Sequence, residues 1–242
     1  SWDNVVYLEN VDRMAIIGIS REGITFRDLN GQATGPYFWN PAKADPNKVS
    51  GTTGSQVNPT LFPNVVGGNM WQNKDNFPPD TGLGLMGQTA YVNDGGNDVV
   101  YLVGNYDWLW RYTVRGLDPA TDVWELVGQR PLSEKVGSGS AAFDAAQRIL
   151  VKTLDYNSFG FWDVSAQATS RPANREIEIV PTLLSGTPWG DLRLYGMQYD
   201  PTLQGFVLWG GDANVWLLDP PDNLDPDGDG IKSLASGWTL RA

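Results

Sequence analysis

Pairs of aromatic residues that recur at a near-fixed separation restrict the fold of this sequence more than any other feature. Tyr7 and Phe26, Tyr91 and Trp110, and Phe143 and Trp162 are each 19 residues apart, and Tyr199 and Trp216 are 17 apart. Within each pair comes a short polar turn and then a run of β-branched or aromatic residues. Those runs include Arg13-Met14-Ala15-Ile16-Ile17, Asp98-Val99-Val100-Tyr101-Leu102-Val103 and Phe206-Val207-Leu208-Trp209. A third marker closes most copies: Trp39, Trp124 and Trp238, with Ile177 and Ile179 in the third copy. Successive starts lie 84, 52 and 56 residues apart, so the long first interval reads as an insertion over residues 42–84.

Internal repetition on this scale decides a fold, because each copy is a unit that must bury its faces against its neighbours. Alternating runs of this length are strands, and the Gly, Asn, Asp and Pro clusters between them are turns. No stretch sustains the apolar spacing of an amphipathic helix. Each copy therefore reads as a meander of four antiparallel strands, which cannot shield both faces alone. Stacking the copies radially gives an all-β propeller of four-stranded blades, the alternative being a β-sandwich. The blades fall at about 1–41, 85–130, 138–180 and 190–242. The chain reads as one propeller domain, or as part of a larger ring completed by further blades or another chain. It opens on Ser1, which suggests a processed protein or a piece of a longer one.

The fourth copy carries a family resemblance. Tyr199-Asp200-Pro201, the strand Phe206-Val207-Leu208-Trp209 ending in Gly210-Gly211, Trp216 and the closing Trp238 resemble a kelch repeat. Leu109-Trp110-Arg111-Tyr112 and Val123-Trp124-Glu125-Leu126 look like the second half of another. The third copy lacks both the double glycine and the closing Trp. Kelch propellers usually have six or seven blades, against four here. The resemblance extends to galactose-oxidase-like enzymes, whose copper site it would place on two histidines and a Cys-crosslinked tyrosine. This chain has no His and no Cys, which excludes that copper radical chemistry and any Ser-His-Asp triad. The Asp boxes of sialidases are absent as well.

Composition narrows the partners. A net charge of −11 argues against nucleic acid, whose phosphates need clustered Lys and Arg. No apolar run is long enough for a membrane span.

Turns between the second and third strands of each copy converge at one end of a propeller, and each holds a carboxylate: Glu22, Asp107, Asp155 and Asp212. Tyr106, Trp108 and Tyr156 accompany them. Acids accept hydroxyl hydrogen bonds and aromatic faces stack on C–H surfaces, which suits a sugar. The inserted segment adds Trp71, Gln72 and Asn73 as candidate ligand contacts. Asp225-Pro226-Asp227-Gly228-Asp229-Gly230 matches the first half of a calcium loop, with Asp225, Asp227 and Asp229 as ligands to a structural Ca²⁺. Position 236 is Ser where a full loop of that kind has Glu. These features point to a secreted or cell-surface (extracellular or periplasmic) module, non-catalytic, binding a carbohydrate or protein through its loop face. The alternatives are a carbohydrate-active enzyme using paired carboxylates and a structural or assembly module.

Overall fold

The structure, a computed structural model, describes residues 5–17, 36–40, 42, 71–73, 88–103, 108–129, 139–154, 157–171, 174–186, 191–210 and 213–242. They form an all-β four-bladed propeller. Blade 1 comprises β1 (Val5–Leu8), β2 (Arg13–Ile16), β3 (Tyr37–Trp39) and β4 (Trp71–Asn73). Blade 2 comprises β5 (Gln88–Asp94), β6 (Asn97–Val103), β7 (Trp108–Val114) and β8 (Val123–Gln129). Blade 3 comprises β9 (Ala141–Asp144), β10 (Ile149–Thr153), β11 (Phe159–Asp163) and β12 (Ile177–Ile179), with the short helix α1 (Ala166–Thr169) between β11 and β12. Blade 4 comprises β14 (Gly196–Asp200), β15 (Gly205–Trp209), β16 (Trp216–Asp219) and β17 (Thr239–Arg241). Its outer edge gains β13 (Thr182–Leu183), which pairs parallel with β17.

The repeat markers take equivalent places. Tyr7, Tyr91, Phe143 and Tyr199 all lie on the first strand of their blade, and Trp110, Trp162 and Trp216 on the third. Blade 1 departs from the expected spacing. Its third strand is Tyr37–Trp39, so Trp39 sits there rather than closing the blade, and Phe26 lies outside the described residues. The fourth strand, Trp71–Asn73, comes from within the segment read as an insertion. An aromatic triplet with β propensity, Tyr37-Phe38-Trp39, pairs with β2 and supplies the aromatics of the third strand.

Blades pack face to face around the first strands, with β1 beside β5, β5 beside β9 and β9 beside β14. Strand β6 shows how. Its residues alternate between two cores, Val100 and Leu102 joining Leu8, Ala15 and Phe38 of blade 1. Val99, Tyr101 and Val103 turn the other way onto Phe143, Leu150 and Trp162 of blade 3. A third core joins blades 3 and 4 around Phe161, Trp216 and Trp238. Trp162, Trp216 and Trp238 are fully buried, each contributing on the order of 4–6 kcal/mol of apolar burial.

The hairpins joining first and second strands are built by two devices. In blade 2, Gly95 and Gly96 both take positive φ (61° and 85°), the tight two-residue turn that suits a twisted hairpin. Blades 1, 3 and 4 use four-residue loops ending on Asp12, Arg148 and Gln204, each with φ between 53° and 57°.

Candidate ligand-binding site

The first strands of all four blades enclose a central cavity of about 420 Å³. Blade 1 lines it with Val5, Val6, Tyr7 and Glu9; blade 2 with Thr89, Ala90 and Tyr91; blade 3 with Ser140–Phe143; blade 4 with Gly196, Met197, Gln198 and Trp209. Such a volume is that of a small-molecule site, and its mixed lining of aromatic faces, hydroxyls, an amide and a carboxylate is typical of one.

The seam between blades 4 and 1 differs from the other three. Strand register makes Ile17, Val103, Thr153 and Trp209 equivalent positions, each facing the next blade around the ring. Ile17, Val103 and Thr153 are buried, whereas Trp209 is 45% exposed. Tyr7 is equivalent to Tyr91, Phe143 and Tyr199, which pack against the preceding blade, yet it is 48% exposed. Among the described residues no hydrophobic core cluster joins blade 4 to blade 1. Both aromatics instead face the cavity. Trp209 lies across Gly196, where a Cβ would sit 2.8 Å from the indole, so the glycine sets the height of that aromatic floor.

Hydrogen bonds fix the polar side of the cavity. The Tyr91 hydroxyl donates to Asp98 at 2.7 Å and accepts the Glu9 N–H at 3.2 Å. Burial and the Asp98 carboxylate together push the Tyr91 phenol well above its usual range. The Asn93 amide donates to the Glu9 carboxylate at 3.1 Å, holding it at the junction of blades 1 and 2. Tyr7 donates to Asp12 at 2.8 Å, and that hydrogen bond raises its pKa. Among the described lining residues Glu9 is the single charged group.

The residues singled out from the sequence are distributed differently. Glu22, Tyr106, Asp107, Asp155, Tyr156 and Asp212 lie outside the described residues. Trp71, Gln72 and Asn73 form β4, the strand of blade 1 farthest from the central cavity. Trp108 is the first residue of β7. Tyr7, Glu9, Gln198 and Trp209 were not selected from the sequence as ligand contacts. One signal for Trp209 is present in it: a bulky aromatic just before Gly210-Gly211, where the equivalent residues are Ile, Val and Thr.

Asp225, Asp227 and Asp229 are brought together, their ligand oxygens all lying within 4.8 Å of one another. The loop connects β16 to β17, the third-to-fourth-strand connection of blade 4. Desolvation works against the charge on Asp225, but N–H groups of Gly230, Gly228 and Asp229 and the Asp227 side chain hold its pKa below normal. The Gly230 N–H donates at 2.8 Å and the Asp229 N–H at 3.2 Å. Asp229 also binds blade 3: its carboxylate meets Arg171 at 3.2 Å and its carbonyl accepts from Gln167 at 2.6 Å. Three carboxylates this close suit a hard cation, although Arg171 already neutralises part of their charge.

No helix among the described residues is long and apolar enough to cross a membrane. Comparison with family models, with curated proteins and with solved structures returns no match.

Proposed function

We propose that this propeller is a non-catalytic binding module that takes a carbohydrate in its central cavity. The observation that carries the reading is the pair of half-exposed aromatics, Tyr7 and Trp209, in a cavity of about 420 Å³ that Gln198, Ser140 and Glu9 also line. Aromatic faces take the C–H surface of a sugar, while amide, hydroxyl and carboxylate groups fix its hydroxyls. Hydrolysis by paired acids needs two carboxylates across the glycosidic bond, and Glu9 stands alone among the described lining residues. Binding is therefore favoured over glycoside cleavage. A glycan array followed by calorimetry tests the reading. Trp209→Ala should weaken binding of the selected glycan by about tenfold or more, the size of one lost aromatic contact. An affinity that Trp209→Ala and Tyr7→Ala both leave unchanged would remove the site from this cavity.

The proposal extends to blades of the kelch type, supported in blade 4 by Gly210 (φ 95°) closing β15 and by the buried Trp216 and Trp238. It also takes Asp225, Asp227 and Asp229 as holders of a structural Ca²⁺ and the setting as extracellular, where calcium is abundant enough for a weak loop.

Assembly is the competing reading, favoured by the exposure of Val215 at 60% on the same blade as Trp209. Light scattering separates the two. A monomer that binds sugar supports recognition, and an oligomer dispersed by Val215→Ser supports assembly.

A further inference from the structure

Charge inside the cavity narrows the ligand beyond "carbohydrate". Val5, Tyr7 and Glu9 follow one another at two-residue steps along the blade-1 wall. Trp209 pairs with Gly196, which is equivalent to a position before Val5, so Trp209 and Glu9 mark opposite ends of the cavity. The four strand steps from the level of Trp209 to Leu8, at about 3.3 Å each, already span roughly 13 Å before the turn that carries Glu9, longer than one pyranose ring. The Trp209 end is apolar and aromatic. The Glu9 end is anionic, and among the described lining residues no Lys or Arg offsets it. The Asn93 amide accounts for one hydrogen bond to the Glu9 carboxylate and adds no positive charge. Tyr7 and Tyr91 line the cavity near the same end, and aromatic rings attract cations through their quadrupole.

Resting on the carbohydrate reading, we propose that the preferred ligand is a short oligosaccharide of amino sugars. Its terminal ring lies on Trp209 and a free ammonium group is held by Glu9 beside Tyr7. Acidic sugars are excluded by the same field, since a uronate would meet Glu9 with like charge.

Isothermal titration of the native chain with three probes decides it: a β-linked glucosamine trimer, its fully N-acetylated counterpart and a galacturonate trimer. The expected result is that the free-amine trimer binds about tenfold more tightly than the N-acetylated one, with no detectable binding of the uronate. Glu9→Gln should erase that difference, bringing the two trimers to equal affinity, whatever it does to the binding they share. Raising the pH until the ligand amine is neutral should erase it in the native chain too, a control independent of how the variant folds. Equal affinity for the two trimers, or a preference that survives Glu9→Gln, overturns the amino-sugar inference and leaves the carbohydrate reading standing. Failure of all three probes and of the glycan array overturns both.

Discussion

Asp98 of blade 2 caps a hairpin in blade 1, accepting the N–H groups of Asn10 at 3.0 Å and Val11 at 3.1 Å. In blades 3 and 4 the equivalent N–H pairs are capped from within the hairpin. Asp144 takes those of Ala146 and Gln147, and Asp200 those of Thr202 and Leu203. Blade 1 has Leu8 where those blades have the aspartate, so the cap is supplied across the seam. A fully buried carboxylate thereby closes the turn and fastens two blades, with the Tyr91 hydroxyl as a further donor. Asp98→Ala should cost about 2–4 kcal/mol, since it removes a buried charged acceptor shared by several partly buried donors. The more exposed cap removed by Asp200→Ala should cost about 1 kcal/mol. Urea midpoints of the two variants check the order.

How far the fold is legible in the sequence follows from these same residues. Tyr91, Phe143 and Tyr199 recur because each packs on the preceding blade, so their spacing records the architecture directly. Blade 1 escapes that reading because its second and third strands are far apart in sequence. The cavity escapes it for a different reason. Tyr7 is chemically the same as Tyr91 and Tyr199, and only its place at the seam of blades 4 and 1 leaves it half exposed. Repetition makes residues look equivalent, whereas a site depends on where the repetition is broken.

Lys152 and Glu176 form an ion pair at 3.1 Å with both side chains buried, and the ammonium also lies 5.5 Å from the Trp162 ring centroid. Gly160 makes room for it, because a Cβ there would collide with the Glu176 carboxylate. Removing one partner strands a buried charge, so Lys152→Met should cost about 3–5 kcal/mol. The double variant Lys152→Met/Glu176→Leu should recover most of that loss. Chemical denaturation of the wild type, both single variants and the double variant gives the coupling. Additive losses would mean that the charges are not a unit.

Gln204 ends the blade 4 hairpin with φ 55°, a conformation that costs a residue with a side chain and suits glycine. It is exposed, so no packing is lost on replacement. Gln204→Gly should stabilise the chain by about 0.5–1 kcal/mol, whereas Gln204→Val should destabilise it by at least as much. Thermal melts of the two variants should move in opposite directions.

Tyr199 faces the buried Asp144 across the seam of blades 3 and 4, and burial followed by that carboxylate raises its pKa to about 12. A phenol harder to ionise when folded stabilises the fold fully below its ordinary pKa of 10.0, and the contribution disappears as pH rises through about 12. The native chain should therefore lose stability between those values, and Tyr199→Phe should lose less over the same window. Ultraviolet titration of phenolate, run beside circular dichroism, locates the ionisation.

Asp225 gives the opposite sign, and Arg171 sets how its loop answers to a cation. The Asp225 carboxyl is held below its ordinary pKa of 3.8, so its contribution is present above that value and lost as pH falls below it. Asp225→Asn should flatten the acid side of the stability profile. Under the calcium proposal, millimolar Ca²⁺ should raise the melting temperature near neutral pH by about 2–4 °C for each kcal/mol of binding. Arg171 competes for the same charge through its 3.2 Å contact with Asp229. Arg171→Ala should therefore lower the melting point slightly without calcium and enlarge the calcium-induced rise. A rise that neither Asp225→Asn diminishes nor Arg171→Ala enlarges would assign the ion to a site other than this loop.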